Sequence, residues 1–156
     1  FTGQLYGGGV IFYVDSTGQH GLIASLSDLG QFKWGCNGYS IDSTSTDLGS
    51  GLSNTFRIAT NCFTSDTIAA AECLELTQRG FGDWYLPSYE ELILLQDNLY
   101  DKGYTQYFGT IEGQYWSSSE DNAQQAKWVQ LFTTSQFQSS SNTKNQKRSV
   151  HPIRSF

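Results

Sequence analysis

Charge is scarce in this sequence: 24 of 156 residues are acidic or basic, against roughly 25% in an average protein. The bases number nine and the acids 15, a balance that excludes a basic nucleic-acid binder and, with so few charges, a coiled coil. Long apolar runs are missing too. The longest, Val10 to Val14, falls far short of the ~20 residues a membrane-spanning helix needs, so direct membrane insertion is excluded. There is no methionine, and the chain opens on Phe1-Thr2-Gly3; it reads as a piece excised from a longer secreted chain. Histidine is limited to His20 and His151, and no HExxH, CxxC, GxSxG or phosphate-binding Gly-rich loop occurs. A zinc site needs four well-spaced Cys or His ligands, and the five present are scattered. Catalysis is therefore not expected, nor is a cofactor.

What is abundant is hydroxyl and ring. Ser and Thr total 33, aromatics 23, and Leu, Ile, Val and Phe 36. That supply is too apolar for disorder, and a chain of this length buries about 70% of its unfolded surface. One α+β domain spanning 1–156 is expected, with a core built from rings. Low lysine and high Ser, Thr, Tyr and Asn suit an extracellular setting.

Along the chain, Val10–Val14, the turn Asp15-Ser16-Thr17-Gly18 and His20–Ala24 predict a β-hairpin. Gly7-Gly8-Gly9 before it suits close backbone packing or a bulge. Residues 35–54 are dominated by Gly, Ser, Thr, Asn and Asp, a long irregular loop of the kind that often carries function. Asp42 and Asp47 within it fit no calcium-loop pattern, and solubility accounts for both. Ser53-Asn54-Thr55 is set to cap a first helix through Phe56, Ile58 and Ala59. A second helix is predicted from Ile68 to Arg79, stopped by Gly80. Pro87-Ser88 followed by Glu91 forms a capping box, and the helix runs on through Leu92, Leu95 and Leu99 on one buried stripe. Glu90 and Glu91 are explained by the dipole at that helix start. Strands follow at 115–120 and 127–132, and Gln136-Phe137-Gln138 continues the meander. Residues 139–143 are read as a turn, and Arg148–Phe156 as a closing strand that Pro152 interrupts. Trp84, Trp116 and Trp128 are assigned to the core.

Three cysteines permit one disulfide. A Cys62–Cys73 bridge is the preferred pairing, closing a short loop for roughly 3 kcal/mol. Cys36 is the rival partner, and Cys73 as a plain buried thiol is the alternative.

Charge is divided unevenly. Residues 1–121 hold all 15 acids and four bases, whereas 122–156 hold Lys127, Lys144, Lys147, Arg148 and Arg154 with no acid. A polyanion-facing surface and an edge protected by cations both account for that split.

Several motifs in order carry a resemblance: Gly7–Val14, His20–Ala24, Trp34-Gly35-Cys36, Asp83–Ser88 with Glu91-Leu92, Tyr115–Glu120, and Val150–Phe156. Together they make the chain similar to the C-terminal domain of Legionella collagen-like adhesins and related bacterial surface domains. The resemblance implies a C-type lectin-like fold: a small twisted, mainly antiparallel sheet with paired terminal strands and two to three helices. It implies a secreted, surface-displayed homotrimer that binds sulfated glycosaminoglycans or other polysaccharides. Formylglycine-generating enzymes are remote relatives in fold; their late cysteines are lacking after Cys73. Polyanion binding would draw on Lys127, Lys144, Lys147, Arg148, His151 and Arg154 as one basic patch. The competing expectation is a neutral-sugar or protein-binding module using the 35–54 loop and exposed rings such as Tyr39; a purely structural trimer cap is the third.

Overall fold

Pro152 divides the C-terminal segment between two sheets. In the computed structural model, which describes residues 1–108, 112–132 and 137–156, Lys147–Ser149 pairs in one sheet and Ile153–Ser155 in the other. The missing amide hydrogen at Pro152 suits the gap between them.

The first sheet contains β1 (Leu5–Tyr6), β2 (Gly9–Val14), β3 (Gly21–Ser25) and the closing strand β9 (Ile153–Ser155), in the order β1-β2-β3-β9. The predicted hairpin is β2–β3, and Asp15 organises its turn by accepting from Thr17 N and Thr17 Oγ1. A register shift between Ile11 and Tyr13 marks a bulge. At Gly9 a Cβ would run into the Ala24 carbonyl, so the glycine run does permit close backbone approach. The closing strand pairs with β3, not with the first strand, which lies at the opposite edge.

A second sheet replaces the single one expected. It has the order β4-β8-β5-β6-β7, from β4 (Gln31–Lys33), β5 (Gly113–Glu120), β6 (Gln125–Leu131), β7 (Ser139–Thr143) and β8 (Lys147–Ser149). All its pairs are antiparallel except β5–β8, which meet in parallel at Tyr115 and Ser149. Residues 139–143 are a strand and not the predicted turn, because β6 supplies a full register of partners from Gln125 to Val129. The turn falls one step later, at 144–146. Gln136 lies outside the described residues.

Three helices complete the described fold: α1 (Gly51–Asn61), α2 (Ala69–Glu75) and α3 (Tyr89–Leu95), the last continuing as a π-helical turn over Gln96–Tyr100. The Ser88–Glu91 capping box forms, and Leu92, Leu95 and Leu99 are buried together with Val10, Phe12, Tyr115 and Val129. α2 stops four residues early. Arg79 and Gly80 both take positive φ in a tight turn closed by Gln78 and Phe81, which a helix cannot contain.

The start of α1 also differs from its prediction. Ser53-Asn54-Thr55 lies inside the helix; the fully buried Glu91 reaches across and accepts from the amides of Gly49 and Gly51. Glu90 accepts from Leu48 N at 3.0 Å. The two carboxylates therefore organise a second helix start besides their own. Burial raises the Glu91 carboxyl above its usual range, against the four hydrogen bonds that lower it. Trp84, Trp116 and Trp128 lie in the core as expected, and Trp34 joins them.

Candidate functional site

The six tail residues expected to form a basic patch do not meet on one exposed surface. Lys144 is fully buried; its Nζ donates to Tyr39 O at 2.9 Å and to the Glu120 carboxylate, and sits 4.8 Å from the Trp34 ring centre. Arg154 clasps Asp83 through Nε and Nη2 at 2.6 and 2.8 Å, which holds the Asp83 carboxyl below its usual value. Arg148 lies over Trp116 and Trp128 and donates to the Gln114 side chain. Lys127 pairs with Asp121 at 3.3 Å. Lys127 and Arg148 share a sheet, but β5 separates their strands. Among the described residues, only Lys147 of the six is an exposed cation without an ion-pair partner. The expectation fails for a physical reason. A ring-rich core leaves π-faces that cations cover, and the acids that neutralise Lys144 and Arg154 come from distant parts of the chain.

His151 is likewise withdrawn from the surface. It is fully buried, its Nε2–H donates to Ser25 O at 2.9 Å, and the ring meets Phe108 edge-on. Burial lowers its pKa to about 4, offset in part by Ser25 O and Asp28. The unfolded chain thus takes a proton near pH 6.5, where the native protein refuses it. This contribution to stability is complete above pH 6.5 and is lost as pH falls toward 4. Urea midpoints across that window are expected to fall in the native protein and to fall less in His151→Leu. The comparison between the two matters because the raised carboxyls of Glu91 and Asp97 act in the opposite sense. Parallel curves would remove the histidine from the explanation.

The buried Lys144–Glu120 pair does other work. Glu120, at the end of β5, also accepts from Ile41 N at 2.8 Å and Ser40 Oγ at 3.0 Å, while Lys144 holds Tyr39 O. Three consecutive residues of the loop, which spans 35–50 in the structure, are thus pinned to one ion pair. Asn54 of α1 secures the next part, accepting from Ser45 N and donating to Ser45 O at 2.9 and 2.7 Å. The loop is irregular in path, yet its main chain is bonded to side chains behind it.

The disulfide joins Cys36 to Cys62, with Cα atoms 5.0 Å apart. The preferred Cys62–Cys73 pairing is therefore corrected to the rival. Cys73 faces inward from α2 and is fully buried as a free thiol, its pKa pushed well up by that burial. Cys36 and Ser43 hold positive φ, a conformation costly for side-chain-bearing residues and often found at binding sites.

The bridge ties the loop to the far end of α1, and between these two segments lies a groove of about 780 Å³. Its lining includes Asn37, Tyr39 and Asp42 from the loop and Arg57, Asn61 and Phe63 from α1 and the residues after it. Tyr39 is 75% and Phe63 95% exposed. The Lys33–Asp66 pair, at 2.9 Å, and Asn145 also line it. Among the described residues no group of three or more His, Cys, Asp or Glu is placed to hold a metal ion. Tyr39 and the loop were legible in the sequence. Phe63, Arg57, Asn61 and Asn145 were missed; a lone ring in the polar stretch Thr60–Asp66 was the available signal.

No family model matches the sequence, and no curated protein matches it either. In three dimensions the chain is similar to a fimbrial protein from Bacteroides ovatus ATCC 8483, with a TM-score of 0.60 at 18% identity. The likeness covers 85% of this chain and 35% of that one. This chain thus spans about a third of its neighbour's length. At that identity the likeness establishes a shared fold: an α+β arrangement of two sheets and flanking helices.

Proposed function

We propose that this chain is a non-enzymatic recognition domain of a secreted bacterial surface protein, and that its ligand seats in the groove beside the loop of residues 35–50. The observation that carries the reading is the groove itself: about 780 Å³, within the ~300–1,000 Å³ range of small-ligand sites, and bordered by two exposed rings on segments joined by a disulfide. Single exposed rings are common on protein surfaces, but here two of them line one groove together with polar side chains, and that grouping supports a binding surface. The surface setting is supported by the fold shared with a fimbrial protein and by the hydroxyl-rich, lysine-poor composition. The C-type lectin-like reading of the fold belongs to the same proposal; closing and opening strands in one sheet, and a long stapled loop, support it. Assembly as a homotrimer would present three grooves and raise avidity.

Fluorescently labelled protein binding to host-cell and bacterial surfaces tests the placement. Asn145→Trp, on an exposed turn at the groove, is expected to abolish binding, and Lys147→Glu to leave it intact. The opposite pattern would restore sulfated-polysaccharide binding through the tail cations and displace the groove.

A further inference from the structure

Resting on the groove as the ligand site, we infer that its ligand is an uncharged oligosaccharide, held by ring stacking and by amide hydrogen bonds. Charge argues first. The lining carries Lys33 and Arg57 against Asp42 and Asp66, which sum to zero, and Lys33 and Asp66 neutralise each other at 2.9 Å. Such a lining gives no net field to draw in a polyanion or a polycation.

The loop's main chain argues second. An extended peptide is gripped through free backbone donors and acceptors. Here Gly38 N donates to Ala123 O, Tyr39 N to Cys36 O and Ile41 N to Glu120, while Tyr39 O accepts from Lys144. These four main-chain groups are already spent within the protein, so side chains carry much of what the groove offers. Asn37 and Asn145 are exposed, with no side-chain hydrogen bond to the described residues, and each amide can donate and accept. Asn61 spends its Nδ2 on Arg57 O and keeps its carbonyl oxygen. Paired donors and acceptors match hydroxyls, which also do both.

The rings argue third. A pyranose presents an apolar C–H face and a rim of hydroxyls, so it covers a ring and meets the amides together. Tyr39 and Phe63 supply such platforms from the two segments that the disulfide joins.

The test is an array of uncharged, sialylated and sulfated glycans probed with the intact chain, with the strongest glycan followed by calorimetry. Uncharged glycans are expected to be retained, with affinity unchanged at high salt. Tyr39→Ala and Phe63→Ala are each expected to weaken binding about tenfold. Both rings are exposed, so these variants should keep the native unfolding temperature. Retention of anionic glycans alone, lost in salt yet blocked by Asn145→Trp, would overturn the ligand class and leave the groove standing. Retention of no glycan, with cell binding still blocked by Asn145→Trp, would do the same and point to a protein ligand. Glycan binding indifferent to both rings and to Asn145→Trp would overturn this inference and the groove together.

Discussion

Replacing Glu120 by Ala is expected to lower the thermal unfolding midpoint by roughly 10 °C. Removing one partner of a buried ion pair costs about 3–5 kcal/mol, and a domain of this size shifts by about 2–4 °C per kcal/mol. The magnitude follows from what Glu120 holds. Without it the Lys144 ammonium, fully buried, keeps one oxygen partner in Tyr39 O, and Ile41 N and Ser40 Oγ lose their acceptor. Lys144 is already disfavoured in its charged form by burial, a penalty that Glu120 offsets in part. Lys144→Met should cost less, because Glu120 retains two loop donors. The double variant Glu120→Gln/Lys144→Met should recover part of the loss, since no lone charge is left inside. Differential scanning calorimetry on the three variants checks this. If Glu120→Ala unfolds within the error of the parent protein, the pair does not hold the loop.

Loss of the Cys36–Cys62 bridge is the second large effect. The bridged residues are 26 apart, and the chain-entropy relation gives about 3.5 kcal/mol for a loop of that size. Cys62→Ser is expected to reduce the unfolding free energy by that order and to weaken ligand binding, because the loop and the end of α1 then move independently. Cys73→Ala should keep both the bridge and binding. It removes only a small buried group packed with Ile58, Ile68 and Ala69. Denaturant titration reads the stability, and thiol labelling reads the pairing: one thiol in the parent, reactive only after unfolding. A native disulfide that survives Cys62→Ser but disappears in Cys73→Ala would overturn the assignment.

The hairpin, the capping box and the leucine stripe were readable because each depends on neighbours within a few residues. Asp15 closes its turn on Thr17, and Ser88 finds Glu91 three positions on. The errors share the opposite cause. α1 begins at Gly51 because Glu91 reaches it from forty residues away, and residues 139–143 became a strand because β6 offered them partners. No local propensity reports either event.

The functional site divides in the same way. A charge-poor, ring-rich composition determined by itself that the core would be aromatic, and the Gly/Ser-rich stretch marked where an irregular loop would lie. Only the tertiary structure decided which side chains that loop would meet. It drew Lys144, Arg154 and His151 inward, where acids and carbonyls from distant segments compensate their polarity. The same folding left Tyr39 and Phe63 outside. Exposure and ion pairing are properties of the assembled neighbourhood, because desolvation and Coulomb energy depend on distances that sequence separation does not report.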